Sequence, residues 1–275
     1  MARRRPFPWA LVALYAATTA YALLLVLPLA TLLSVSFRAD ADVYAPTLLP
    51  PRWTLEAYDA AFLKFPLLRF MLNSLLVSSL VTLGVIAVSA CTGYALARVR
   101  FPGEKLALGF VVALLLVPGE VTFLPLYVTV NRLGWVDTYL ALVVPFVASP
   151  LGVFLVRQFV KGLPQELFDA ARMDGAGHLR MLWHVAAPLS LPALGALGAL
   201  TFLGTWNMYL WPLVTTNSQS MRTAQIALSF IRSDEAVRYN VVAAAAVIVL
   251  LPTLIAFLAA QRAFVRGVAL GGLKG

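Results

Sequence analysis

Residues 163–188 read LPQELFDAARMDGAGHLRMLWHVAAP, and this stretch combines charge, helix signals and a sharp turn between two strongly apolar regions. Pro164 suits the start of a helix, where the missing N–H of proline costs nothing. Asp174-Gly175 is a turn signal, because glycine tolerates positive φ and aspartate accepts hydrogen bonds from nearby backbone N–H groups. A second short helix follows, and Pro188 marks its expected end. The stretch therefore predicts a helix–turn–helix outside the membrane, between two spans.

Two groups of residues shape the surface of this helix–turn–helix. Apolar residues at helical spacing give the second helix one apolar face: Leu179, Leu182, Trp183 and Ala186. Small residues around the turn would let the surface of another protein approach closely: Ala170, Ala171, Gly175 and Ala176. The alternative is an ordinary amphipathic loop at the membrane interface.

The composition indicates an integral membrane protein. Hydrophobic residues make up 61% of the chain and charged residues 12%, with a mean hydropathy of +0.86. A chain this apolar does not form an ordinary soluble domain. Cys91 is the only cysteine, so an intrachain disulfide is excluded, and we expect it to be a small core residue.

Long apolar runs predict six membrane-spanning helices. They lie at about 9–35, 73–96, 106–130, 139–156, 189–213 and 241–260. The third span is interrupted by Pro118-Gly119 and again by Pro125. The polar segment 36–69 is expected to be an external loop with a short helix near 55–62. The segments 214–240 and 261–275 are expected to be a loop and a C-terminal tail.

The distribution of charge indicates which loops face the cytoplasm. With six spans both termini lie on one side, and that side holds 13 of the 21 Lys and Arg residues but 4 of the 12 acidic residues. The positive-inside rule therefore places both termini and residues 163–188 in the cytoplasm. The net charge of +9 is then a consequence of topology, so we expect no nucleic-acid partner.

Residues 163–188 resemble the EAA loop of ABC-importer permease subunits, in which E-A-A is followed by a glycine and then by I-x-L-P. Here D-A-A stands at 169–171, the glycine at 175 and V-A-A-P at 185–188. The departures are Asp for Glu, Val for Ile and Ala for Leu. In that family the loop is a coupling helix that sits in a cleft of the ATP-hydrolysing subunit.

The resemblance covers about residues 73–275 and is to carbohydrate-type (MalG-like) permease subunits. The phrases that carry it stand in the family's order: VPGEVTFLPLY (117–127), LGWVDTYLALVVP (133–145), VFLVRQF (153–159), the WN-x-x-L-W-P-L run from Trp206 and RGVALGGLKG (266–275). YLWPL and QRAFVRG are also similar to phrases of glycerol-3-phosphate permease subunits. Met208 departs from the family, in which this position is often acidic.

The resemblance implies an all-α integral membrane fold with a cytoplasmic coupling helix between spans 4 and 5. It implies a single permease domain over residues 1–275, with its core at about 70–265. The implied function is that of a non-enzymatic subunit of an ATP-binding-cassette importer for a sugar or related polyol, glycerol 3-phosphate included. The implied location is a bacterial cytoplasmic (inner) membrane.

The implied partners are a P-loop ATPase dimer, a second homologous permease subunit, an extracytoplasmic substrate-binding protein and membrane lipid. ATP and Mg²⁺ are expected on the partner ATPase, and no cofactor is expected in this chain. The residues expected to couple the chain to the ATPase are Glu166, Asp169, Ala170, Ala171, Asp174, Gly175, Ala176 and Pro188.

The sequence carries no catalytic signature. It has no G-x-x-x-x-G-K-[ST], no H-E-x-x-H and no G-x-S-x-G. His178 and His184 stand six residues apart, about 240° around a helix, so they do not form a metal-binding pair. An intramembrane protease is disfavoured because no nucleophile and base pair at membrane depth.

Two sites are candidates for lining a translocation pathway. Glu120 lies inside the third span beside a Pro-Gly break, and an ionisable residue at membrane depth usually faces a cavity or a partner. The alternative is that it lies near the external surface and caps a half-helix. Trp206, Asn207 and Tyr209 lie in TWNMYLWP (205–212), where aromatic rings can stack on sugars and the amide can bind hydroxyls. An aromatic belt at the interface is the alternative.

A secondary transporter driven by an ion gradient is the competing function. Glu120 is its best support. Six spans with no evident internal inverted repeat argue against it.

Overall fold

The computed structural model describes residues 9–233 and 238–272, and in these ranges the regular secondary structure is helical apart from one isolated β-bridge, Arg38 with Trp53. The all-α prediction is therefore confirmed. The helices, in chain order, are α1 (Trp9–Ser36), α2 (Glu56–Lys64), α3 (Leu67–Arg98), α4 (Glu104–Leu115), α5 (Gly119–Arg132), α6 (Tyr139–Val143), α7 (Pro150–Lys161), α8 (Gln165–Met173), α9 (His178–Met181), α10 (Ala187–Leu189), α11 (Leu191–Trp206), α12 (Leu210–Thr215), α13 (Ala224–Ser233) and α14 (Tyr239–Gly272). A π-helical segment, Leu182–Ala186, joins α9 to α10.

The described residues hold between four and six candidate spans. Four stretches are long and apolar enough to cross a membrane: Leu11–Ser36, Leu67–Arg98, Tyr139–Lys161 and Tyr239–Ala259. Two further pairs of helices meet the criterion only when each pair is taken together. Glu104–Leu115 and Gly119–Arg132 meet at 101°, and His178–Leu189 and Leu191–Trp206 meet at 77°. The first bent pair corresponds to the third predicted span, whereas the second joins the second helix of residues 163–188 to the fifth predicted span.

Prolines account for both bends. Pro118 adopts an extended conformation, with φ −62° and ψ 137°, and so ends α4 and sets the start of α5. Ser190, at φ −89° and ψ 3°, precedes α11, which carries Pro192 in its first turn. The third predicted span is therefore a sharply broken pair, as its Pro-Gly signal indicates, whereas the second boundary was predicted at Pro188, two residues before the bend at Ser190.

Three predicted boundaries are corrected by the structure. The predicted loop 214–240 contains helix α13, whose first residues Ala224, Ile226 and Ala227 are buried. The predicted tail after residue 260 continues as α14 to Gly272, because the polar residues there do not break a helix. The fifth predicted span, 189–213, ends at Trp206, and α12 follows after a break at residues 207–209.

The described residues divide into two compact units, and the first comprises the described parts of Met1–Leu67 and Leu228–Ile248. Within it, the short helix expected near 55–62 is α2, which confirms that prediction. Arg38 is 5% exposed and donates to the carbonyl of Ala45 at 2.8 Å. Asp40 forms an ion pair with Arg238 and accepts a hydrogen bond from Asn240 Nδ2 at 2.9 Å. These bonds hold the segment after α1 close to the start of α14.

The second unit comprises the described parts of Leu68–Ala227 and Val249–Gly275. Its core is an apolar cluster contributed by several helices and centred on α3. Members of that cluster include Val81, Val85, Leu142, Val156, Phe168, Met181 and Trp211. Phe168 belongs to α8, so the first helix of residues 163–188 packs onto the same core as the spans.

A glycine on α3 permits close packing against α7. A Cβ at Gly93 would lie 2.9 Å from the backbone N of Arg157 and 2.9 Å from Cβ of Val156. Backbone atoms cannot rotate away, so Gly93→Ala forces the helices apart and should destabilise the fold by about 1–3 kcal/mol. The expected result is a lower melting temperature of the purified chain in detergent.

Gly109 on α4 provides the matched control, because a Cβ there meets nothing within 4 Å. Gly109→Ala should raise stability slightly, since alanine is the better helix former by up to about 1 kcal/mol. Equal melting temperatures for the two variants would contradict the close approach of α3 and α7.

Candidate functional site

Helix α8 ends in a turn that depends on Gly175. Gly175 has φ +76°, in the left-handed region that L side chains rarely adopt. The backbone N–H of Ala176 donates to Ala171 O at 2.9 Å, and that of Gly175 donates to Arg172 O at 2.9 Å. This pair of bonds is the Schellman arrangement, which satisfies carbonyls at the end of a helix. The turn predicted from Asp174-Gly175 is therefore confirmed.

The small residues around this turn do not all face outward. Ala170 and Gly175 are exposed, and a Cβ at Gly175 would meet nothing within 4 Å. Ala171 and Ala176 are half-buried and pack against the core cluster. The expectation that all four small residues lie open to another protein is therefore corrected for these two. Their methyl groups pack the turn onto the spans.

The acidic residues predicted for coupling lie on the exposed face of α8 and its turn. Glu166, Asp169 and Asp174 are all exposed. Asp169 Oδ1 accepts from Arg172 Nη1 at 2.8 Å and from Gln165 Nε2 at 3.0 Å. Glu166 lies in the first turn of α8, where the helix dipole favours negative charge.

The helix after the turn buries a different face from the predicted one. Leu182 and Ala186 are buried as expected, but Leu179 is 75% exposed and Trp183 51% exposed, while Met181 is 2% exposed. The reason is the π-helical segment Leu182–Ala186, whose i→i+5 bonds shift the register of the faces away from 3/4 spacing.

Pro188 does not end this helix. It lies inside α10, the helical conformation continues to Leu189, and the bend comes at Ser190. Pro188 has no N–H to donate, yet the helical conformation that begins at His178 continues through it. Pro188 itself is exposed.

Arg98, the last residue of α3, anchors α8 to the spans. Its Nη2 donates to the carbonyls of Val160 at 2.8 Å and Leu163 at 2.7 Å, and its Nη1 donates to Gln165 Oε1. Its guanidinium lies over the ring of Phe168, 4.1 Å from the centroid. One side chain therefore joins the end of α3, the end of α7 and the start of α8.

Arg98 is not among the coupling residues predicted from the sequence. Its signal in the sequence is its place in the ARVRFPGEK block (97–105), directly after a span. Three of its partners lie more than sixty residues away. A cleft of about 720 Å³ opens beside it. The cleft is lined by Ala97, Arg98, Val99, Arg100, Glu104, Gln165, Arg172 and His178.

The histidines take ordinary polar contacts. His178 Nδ1 lies 3.2 Å from the hydroxyl of Tyr94, and His184 Nδ1 lies 3.1 Å from the carbonyl of Arg180. Within residues 9–233 and 238–272, no group of three or more His, Cys, Asp and Glu side chains is placed to hold a metal ion.

Glu120 lies in the first turn of α5, immediately after the Pro118 break, and its side chain is exposed. The helix dipole favours a carboxylate there. This position is compatible with both alternatives given for Glu120, a pathway residue or a residue at the start of a half-helix.

The second pathway candidate lies at the break between α11 and α12. Asn207 and Tyr209 are exposed. Asn207 Nδ2 donates to Leu203 O at 2.9 Å, and Asn207 Oδ1 accepts from Gln225 Nε2 at 3.0 Å. Gln225, on α13, was missed by the sequence analysis because nothing local connects it to residue 207.

Trp206 and Met208 face the interior instead. Trp206 is 1% exposed, and its indole Nε1 donates to Val249 O at 3.2 Å. Met208 packs against the core cluster, which accounts for an apolar residue where the resembling family is often acidic. Trp206 therefore packs helices together in this chain, and the exposed residues of the break are Asn207 and Tyr209.

Comparison with known proteins identifies a family and several relatives. The profile of a family described as "Binding-protein-dependent transport system inner membrane component" matches residues 66–270. The arabinooligosaccharides transport system permease protein AraQ of Bacillus subtilis (strain 168) is 37% identical over 207 residues, covering 75% of this chain and 74% of AraQ. The sn-glycerol-3-phosphate transport system permease protein UgpE of Yersinia pestis bv. Antiqua (strain Antiqua) is 40% identical over 199 residues, covering 72% and 71%.

Two solved structures have the same fold. A chain of a bacterial ABC transporter involved in the import of the acidic polysaccharide alginate superposes with a TM-score of 0.85 at 21% identity, over 95% of this chain and 99% of that chain. A chain of a bacterial alginate ABC transporter in complex with an alginate pentasaccharide-bound periplasmic protein superposes with a TM-score of 0.67 at 16% identity, over 92% and 93%. At these identities the likeness concerns the fold.

Proposed function

Because the chain belongs to the family of binding-protein-dependent transport system inner membrane components, we propose that it is a permease subunit that imports a sugar or related polyol. Its relatives AraQ and UgpE are named for arabinooligosaccharides and for sn-glycerol 3-phosphate. Both solutes are polyhydroxylated, and Asn207 offers an exposed amide at a helix break, which suits hydroxyl groups. The substrate is accordingly a sugar or a polyol such as glycerol 3-phosphate.

In this proposal the chain has six spans: the four long stretches, the bent pair Glu104–Leu115 with Gly119–Arg132, and the fifth span in chain order, which begins at about residue 189. Both termini and residues 163–188 then lie in the cytoplasm, in agreement with the excess of Lys and Arg on that side. The loops 36–66, 133–138 and 216–223 lie on the external side.

The proposed partners are a P-loop ATPase dimer, a second homologous permease subunit and an extracytoplasmic substrate-binding protein. ATP and Mg²⁺ bind to the ATPase chain, and this chain needs no cofactor of its own. The observation that carries the coupling role is the anchored loop: α8 presents an exposed acidic face while Arg98 and Phe168 hold it to the spans.

A rigid anchor suits a coupling element because force on the loop must reach the spans. Closure of the ATPase dimer would push on α8 and the turn at Gly175. Arg98 carries that displacement to α3, and the continuous helical segment from α9 through α10 carries it toward α11. The break at residues 207–209 lies at the far end of α11, where the displacement would change the exposure of Asn207.

A secondary transporter remains the competing function for Glu120, and none of the relatives named above supports it. The two functions predict different energetics for uptake. We expect the tagged chain, solubilised gently from native membranes, to co-purify with a P-loop ATPase, a second permease and a binding protein. Uptake into vesicles should stop when ATP is depleted and persist when ionophores collapse the ion gradients. The reverse pattern would establish the secondary transporter.

A further inference from the structure

Asp137 binds a loop that is distant in sequence. It lies between α5 and α6, and its Oδ1 accepts hydrogen bonds from the backbone N–H groups of Asn217 and Ser218, each at 2.9 Å, and from the hydroxyl of Ser218 at 3.0 Å. Its own backbone N–H donates to Thr215 O at 2.8 Å. One residue therefore fixes the start of residues 216–222, which join α12 to α13.

The backbone of Asp137 is arranged for this contact. Its φ of +64° makes it the one non-glycine residue with positive φ among those described. That conformation is unfavourable for an L residue, so the surrounding bonds must hold it. The pKa of its carboxyl is lowered, mainly because the backbone N–H of Ser218 donates to it, although burial acts in the opposite direction. The contact is complete above the ordinary pKa of aspartate and is lost only as the pH falls through the lowered value.

A second set of hydrogen bonds holds the other end of the same loop. Asn73, near the start of α3, donates through Nδ2 to the carbonyls of Ser220 and Arg222, each at 2.8 Å. Its Oδ1 accepts from the hydroxyl of Tyr139 at 2.7 Å. The Oγ of Ser74 accepts from the N–H of Ala224 at 2.8 Å, where α13 begins. The side chains that form these hydrogen bonds belong to α3 and α6, and both helices are parts of candidate spans.

These hydrogen bonds leave some side chains of residues 216–222 exposed, where another molecule can contact them. Asn73 is 4% exposed and Asp137 is half-buried, whereas Asn217 and Gln219 are exposed. Asn73 donates to backbone carbonyls, so its hydrogen bonds fix the main chain of residues 216–222 and do not themselves constrain the side chains of that loop. The result is a short polar surface with a defined backbone on the external side.

We infer that Asp137 is a positioning residue that holds residues 216–222 in the conformation to which the extracytoplasmic binding protein docks. This rests on the proposed function, which supplies the binding protein as the partner. A loop already held in its bound form loses less conformational freedom on docking, so the complex is tighter. The chemistry of the surface, the exposed amide side chains of Asn217 and Gln219, fits a polar partner surface that pairs through hydrogen bonds.

The binding protein is first isolated together with the transport complex. The test then measures the affinity of this binding protein for the complex reconstituted in lipid nanodiscs. Asp137→Ala should raise its dissociation constant and the concentration that half-stimulates ATP hydrolysis by about tenfold, which is about 1.4 kcal/mol. The maximal stimulated rate and the unstimulated rate should stay within about twofold. Asp137→Asn, which keeps an acceptor oxygen and tolerates positive φ, should recover most of the affinity.

Asp59→Ala is the matched control, because Asp59 is an exposed carboxylate on α2 in the external segment 36–66. It should leave the affinity unchanged. Tyr139→Phe removes only the hydroxyl that binds Asn73 and should weaken docking in the same direction by a smaller factor, which provides a second variant if Asp137→Ala fails to assemble.

A lower maximal rate with unchanged affinity in these variants would show a merely structural role and overturn the inference. Wild-type affinity in Asp137→Ala would overturn it as well, while the proposed function stood. If the wild-type complex neither bound nor responded to the binding protein, the proposed function itself would fail.

Discussion

Replacing Arg98 with alanine is expected to reduce ATP-driven uptake by more than tenfold while the complex still hydrolyses ATP. The substitution removes donors to the carbonyls of Val160 and Leu163 and the cation stacked on Phe168. Hydrogen bonds from a charged donor contribute about 1.5–3 kcal/mol each, and the lower end applies to a partly exposed side chain. Losing them would let α8 move independently of α3, so a push on the loop would no longer displace the spans.

The measurement compares solute uptake and ATP hydrolysis in the same proteoliposomes. Arg98→Ala should lower the ratio of solute moved to ATP hydrolysed, with the amount of assembled complex close to wild type. Arg98→Lys should recover part of the coupling, because an ammonium group can reach one carbonyl but cannot bridge both as the guanidinium fork does. Arg100→Ala is the control, since Arg100 is exposed two residues later and carries the same charge. Equal coupling ratios in Arg98→Ala and wild type would refute the anchor role.

The contrast between Arg98 and Gly175 indicates what the sequence can predict in this chain. The turn at Gly175 is a local event: Asp174-Gly175 after a helix-forming run is enough to predict left-handed backbone there. The Arg98 anchor is a contact between residues far apart in sequence, and a basic residue beside a span has the same local pattern whether it marks topology or binds a carbonyl. The spacing of residues in one sequence carries no signal for such pairings.

The two helix breaks also differ in whether a local sequence signal predicts them. Pro118 interrupts an apolar run beside a glycine, so the break could be predicted from it. The break at residues 207–209 contains no proline or glycine, and Asn207 within it accepts a hydrogen bond from Gln225 of another helix. The faces of the second helix in residues 163–188 were mispredicted because a π-helical segment has no strong sequence signature, and regular 3.6-residue spacing does not apply within it.

Gly175→Trp is expected to abolish uptake by preventing the ATPase from docking. A non-glycine residue at φ +76° costs roughly 1–2 kcal/mol in backbone strain. The indole would extend into the open space beside the turn, where a Cβ already meets nothing within 4 Å. In the proposed complex that space is occupied by the ATPase cleft, so the added ring and the docked subunit cannot both fit. Losing a contact of this size, about 2–4 kcal/mol for a hot spot, weakens docking by a factor of roughly thirty to a thousand.

A second glycine with a similar positive φ provides a control that distinguishes the effect of backbone strain from the effect of steric exclusion. Gly134 has φ +69° and is equally open, but it lies between α5 and α6, on the side opposite the ATPase in the proposed topology. Gly134→Trp should therefore incur a similar strain and still recover the ATPase in a pull-down. Gly175→Trp should recover the second permease without the ATPase, and Gly175→Asn, which tolerates the left-handed region, should recover both. If Gly175→Trp retained the ATPase and wild-type uptake, the turn at Gly175 would not be part of the docking surface.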